Sequence, residues 1–92
     1  MLYHLSIHRP KPEYVQDLIE SMHRFGDTAR AQGAVEAHTF KDARSDAFVG
    51  LAIWQSDDDL AAARPALAAV VEHDDFDAWE KGPIEMFLLH DV

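Results

Sequence analysis

Between residues 15 and 29 the side chains Val15, Leu18, Ile19, Met22, Phe25 and Ala29 recur every three or four positions. That spacing puts them on one stripe of an α-helix, and such a stripe must be buried against another element. The flanking segments have a different period. Tyr3, Leu5 and Ile7 alternate with His4, Ser6 and His8 before the stripe, and residues 35–41 alternate after it. A period of two is that of a strand. One striped helix between alternating strands restricts the chain to a sheet with helices laid on it.

The boundaries agree. Arg9-Pro10-Lys11-Pro12 stops the first strand, because neither proline can donate to a ladder. Pro12 suits the first turn of the helix, and Gly33 suits its end. Residues 35–41 and 47–54 flank the short connection Ala43-Arg44-Ser45-Asp46 and read as an antiparallel hairpin. Ser56-Asp57-Asp58-Asp59 is the clearest helix start, with Ser56 as cap and three carboxylates at the positive end of the dipole. An alanine-rich helix follows, which Pro65 is expected to kink or split near Arg64. Residues 74–79 suggest a short acidic-capped turn, Gly82-Pro83 ends the helical region, and residues 84–90 form the last strand. The order β-α-β-β-α-β defines a ferredoxin-like α+β fold with a four-stranded antiparallel sheet. No repeat or linker divides residues 1–92, so one domain is expected.

Composition narrows the function classes. A 92-residue chain has a modest core, and oligomerisation is a common remedy. The formal net charge of −9 repels phosphate backbones, so nucleic acid is not an expected partner. There is no cysteine, which excludes disulfides, thiolate metal sites and cysteine nucleophiles. Met1-Leu2-Tyr3-His4 shows no basic leader pattern, and no run is long and apolar enough for a bilayer. The expectation is a cytoplasmic protein without a membrane partner.

Alternation sorts the strands into two faces. The face expected beneath the helices carries Tyr3, Leu5, Ile7, Val35, Ala37, Val49, Leu51 and Ile53, with Ile84, Met86 and Leu88. The face expected to be open carries His4, Ser6, His8, Glu36, His38, Phe40, Phe48, Gly50, Ala52, Trp54 and Phe87. Aromatic side chains on an open sheet face mark an interaction surface. A second copy related by a two-fold axis is the simplest cover, so a homodimer through the sheet is expected.

The element order and the segment Ala52-Ile53-Trp54-Gln55-Ser56 resemble the antibiotic biosynthesis monooxygenase-like family of the dimeric α+β barrel superfamily. Phe76-Asp77-Ala78-Trp79 is similar to the segment with which members close their pocket. The resemblance covers nearly the whole chain. It implies a homodimer whose sheets make a barrel, with a pocket in each subunit between sheet and helices. Several members oxidise polycyclic phenols or quinols with oxygen and no cofactor, so the resemblance implies that activity on a small aromatic or quinone-type compound. Haem-degrading members carry an asparagine on the first strand and a histidine about ten residues past the tryptophan. Here the first strand has no asparagine, and Arg64-Pro65 stands near that second position.

On this reading His38 is the candidate general base, since histidine titrates near neutral pH. Trp54 is the candidate aromatic wall. Tyr3, Met22, Phe25 and Phe76 are candidate substrate contacts. Six histidines could suggest a metal, with His4, His8, His38 and Glu36 sharing a face under ideal alternation. No tight ligand spacing accompanies them, and no metal or cofactor is expected. Asp57-Asp58-Asp59 belongs to the helix cap, and no serine has a nucleophile-elbow setting. Two rivals to the oxygenase are a non-catalytic dimeric binder of small apolar ligands and a haem- or metal-binding protein.

Overall fold

The computed structural model describes residues 1–92. Strand β1 (Leu2–His8) leads through a single 3-10 turn at Pro12–Tyr14 into helix α1 (Val15–Ala31). The hairpin β2 (Glu36–Lys41) and β3 (Phe48–Trp54) follows, then α2 (Asp57–Val70), the one-turn helix α3 (Phe76–Trp79) and β4 (Glu85–His90). The strands are antiparallel in the order β2-β3-β1-β4. The ferredoxin-like architecture and single α+β layer pair follow the sequence pattern. No helix is long and apolar enough to cross a membrane.

The helix ends form where local chemistry dictates. At the end of α1 the amide of Ala34 donates to the carbonyl of Ala29 (2.9 Å) and that of Gly33 to Arg30 (3.2 Å). This paired pattern needs a left-handed residue at position 33, and Gly33 has φ 102°. At the start of α2 the Ser56 hydroxyl accepts from the Asp59 amide at 3.2 Å. Pro65 does not split α2, which runs unbroken from Asp57 to Val70. The carbonyl that loses its partner belongs to Ala61. Both residues lie on the exposed side of the helix, where water can satisfy the freed group.

The two faces of the sheet are the reverse of those expected on β1 and β3. Leu2, His4 and His8 are buried beneath the helices, with Phe48, Ala52 and Trp54 of β3 beside them. Tyr3, Leu5, Ile7, Val49, Leu51 and Ile53 point away from the helices and are only partly buried. Register places Glu36, His38 and Phe40 on that outer face too, opposite Ile53, Leu51 and Val49. Phe87 and Leu89 of β4 join them. Alternation separates two sets of side chains but does not say which set meets the helices. The centre of the inner face is small. A Cβ on Gly50 would lie 2.9 Å from Ser6 Oγ and 3.3 Å from Met22 Cε, so α1 can approach only over a glycine. Ala37 and Ala52 are similarly small and buried.

The main core gathers Leu2, Ala29, Ala37, Ala52, Trp54, Leu60, Ala63 and Leu67. Trp54 is fully buried, and its indole N–H has no partner. Burying a ring of that size contributes about 4–6 kcal/mol, whereas an unpaired N–H costs about 1–3 kcal/mol. The apolar term wins, and Trp54 anchors α2 to the sheet.

Candidate functional site

A cavity of about 290 Å³ lies between the helices and the sheet. Its floor is the small and polar face of β1, β2 and β3: His4, Ser6, His8, Ala37, Thr39, Gly50 and Ala52. Its roof comes from Met22, Phe25 and Gly26 of α1, with Val71 and Phe76, and Ile84 and Met86 stand at the β4 side. The α1 side is pinned to the chain beyond α2. Ser21 donates its hydroxyl proton to Asp74 at 2.6 Å, and Arg24 reaches both Asp74 (3.0 Å) and the Val70 carbonyl (2.9 Å).

The polar centre of the cavity is a chain of three side chains. Glu80 Oε2 lies 3.2 Å from Nδ1 of His8, and Nε2 of His8 lies 3.0 Å from Oγ of Ser6. Glu80 and His8 are 72 residues apart and both buried. Residues 79–81 run antiparallel to residues 9–11 and bring them together. Lys11 donates to the Trp79 carbonyl, Lys81 to the Arg9 carbonyl, and Pro10 bridges Glu80. The other Glu80 oxygen accepts from the Arg9 amide at 2.8 Å. Phe76 packs 6.1 Å from the His8 ring and 5.5 Å from Trp79.

Burial holds the His8 pKa below the usual histidine value, although Glu80 pulls the other way. The ring is therefore neutral near pH 7. A carboxylate can only accept, so Nδ1 carries the proton and Nε2 keeps its lone pair. Ser6 then donates to Nε2 and leaves its own oxygen free to accept from a molecule in the cavity.

The expected site residues fall in different places. Met22, Phe25 and Phe76 line the cavity. Tyr3 is on the outer face, and its hydroxyl donates to Asp91 at 3.4 Å. Trp54 belongs to the core and is not part of the cavity wall. His38 borders the cavity through its strand. Its ring stands on the outer face, 3.2 Å from Glu36 and 5.6 Å from Phe40. The grouping of His4, His8, His38 and Glu36 on one face does not form, since β2 turns His38 and Glu36 the other way. No cluster of three or more histidine, aspartate or glutamate side chains is placed to hold a metal ion. Sequence reasoning missed Ser6, His8 and Glu80 as a unit. Alternation pairs Ser6 with His8, but nothing local points to Glu80.

The fold is shared with a solved antibiotic biosynthesis monooxygenase. That protein matches at a TM-score of 0.81 with 17% identity over 100% of this chain and 99% of its own. Rv0793 of Mycobacterium tuberculosis matches at 0.85 with 15% identity, covering 99% of this chain and 94% of its own. PA3566 of Pseudomonas aeruginosa matches at 0.81 with 14% identity, covering 99% and 93%. No family model and no curated protein matches the sequence. At these identities the likeness is one of architecture, and the chemistry rests on the residues of this cavity.

Proposed function

We propose that the cavity takes a small aromatic or quinol-type molecule, and that the Glu80–His8–Ser6 chain removes its acidic proton so that oxygen can oxidise the anion. The carrying observation is that chain, opening on an otherwise mainly apolar cavity. The ligand gives its proton to Ser6 Oγ as Ser6 passes its own to His8 Nε2. Glu80 steadies the imidazolium that forms. Met22, Phe25 and Phe76 hold the flat ring. An electron-rich anion then reduces oxygen without a further reductant. In an anthrone-type ligand a methylene becomes a carbonyl, one oxygen atom enters the product and the other leaves as water. The substrate thus supplies all four electrons. Membership of the antibiotic biosynthesis monooxygenase-like group is part of this proposal.

The same reading includes a homodimer through the outer sheet face. Phe40, Phe87 and Leu89 are between 42 and 49% exposed there, beside half-buried Tyr3, Leu5, Ile7, Val49, Leu51 and Ile53. A contiguous apolar surface of this kind marks an interface. A second copy of the same surface covers it by symmetry.

Oxygen uptake with a panel of anthrones and quinols tests the chemistry. One oxygen consumed per product formed is expected, with a fall of about 100-fold or more for His8→Ala. Binding without uptake across the panel would leave a ligand-binding module and remove the oxygenase.

A further inference from the structure

His4 lies in the cavity and has no part in the chain from Ser6 to Glu80. It is 9% exposed and stands on the same face of β1 as Ser6 and His8. Its ring meets Phe25 edge-on at 5.9 Å. Nδ1 is sealed from solvent and has no hydrogen-bond partner. A buried N–H without an acceptor is rarer than an unsatisfied lone pair, so the proton belongs on Nε2. Burial, and then the charge of Arg64, hold the ring's pKa below the usual value, which keeps it neutral. The Ser21 hydroxyl on the cavity wall is already committed to Asp74. His4 is therefore a donor without an acceptor, whereas Ser6 and His8 form an acceptor end.

We propose that His4 Nε2–H donates a hydrogen bond to an oxygen acceptor of the ligand, so that a ligand with a carbonyl there is preferred over the same skeleton without one. This rests on the deprotonating cavity proposed above and adds the residue that reads the ligand's acceptor. Strand rise places Ser6, which takes the ligand's proton, about 7 Å along β1 from His4.

A matched pair of probes separates the donor from the rest of the cavity. 6-Acetyl-2-naphthol carries both groups, and 6-ethyl-2-naphthol keeps the shape and loses the carbonyl. Fluorescence titration is expected to show the acetyl compound binding about three- to tenfold tighter, the range of one hydrogen bond. In His4→Phe the two probes bind equally, and if that variant does not fold, His4→Leu makes the same comparison. His4→Gln restores an amide donor and keeps a preference for the acetyl probe. Equal affinity in the natural protein, or a preference that survives His4→Phe, overturns the assignment. If neither naphthol binds, this inference and the cavity reading fall together. If the preference appears and no quinol or anthrone consumes oxygen, the oxygenase reading falls and the role of His4 stands.

Discussion

His4, Ser6 and His8 line one side of β1, and Tyr3, Leu5 and Ile7 line the other. The helices cover the first set, although it is the more polar. Tyr3, Leu5, Ile7, Val49, Leu51 and Ile53 are left to the outer face, although Leu2, Phe48 and Trp54 at the ends of β1 and β3 are beneath the helices. A helix layer needs close approach, and Gly50, Ala52 and Ala37 permit it where Leu51 and Ile53 would not. The cavity follows from the same choice. Small side chains beneath α1 leave space, and the polar groups that face this space are the ones able to do chemistry. Hydrophobicity alone is thus a poor guide to the inside of a sheet when both of its faces can be buried.

Substituting one histidine from each face gives the sharpest contrast. His8→Ala should lower turnover by about 100- to 10,000-fold. His38→Ala, whose ring lies across the sheet with Glu36, should leave it within about twofold, the effect of an ordinary surface change. Steady-state oxygen uptake checks both, and the reverse ranking would move the chemistry to the outer face.

Leu51→Asp probes the outer face next. A charge placed there should weaken the proposed dimer by about 3–5 kcal/mol. Sedimentation should then show the 10.4 kDa chain in place of a species of twice that mass. A natural protein that sediments as a monomer at micromolar concentration removes the interface.

Gly50→Ala tests the close approach itself. The added carbon meets Ser6 Oγ at 2.9 Å, so α1 or Ser6 must move. Urea denaturation should show a loss of about 1–3 kcal/mol, with weaker probe binding. Gly82→Ala, which meets nothing within 4 Å, should change stability by less than about 0.5 kcal/mol.

The smallest effect concerns pH. His4 and His8 hold protons less tightly when folded than when unfolded. As pH falls through about 6.5 the unfolded chain therefore takes up more protons, and stability declines. It is full above that value and drains toward the lower folded pKa values. The melting temperature should fall between pH 7.5 and 5.5, above the ordinary carboxylate range, and His4→Phe should flatten the slope. A flat profile in the natural chain would mean that neither ring is held neutral by burial.

The sequence alone determined the order of elements, because each signal for it is local. The α1 stripe, the strand alternation, the Ser56 cap and the Gly33 terminus involve residues within a turn or two of one another. It also marked Met22, Phe25 and Phe76 as apolar side chains near a pocket. Only the tertiary structure decided which side of the sheet the helices took, because that depends on Gly50 and Met22 meeting across layers. Alternation placed Ser6 beside His8, but their chemistry waits on Glu80. That carboxylate arrives through the pairing of residues 79–81 with 9–11, a contact between chain segments too far apart for any local pattern to encode.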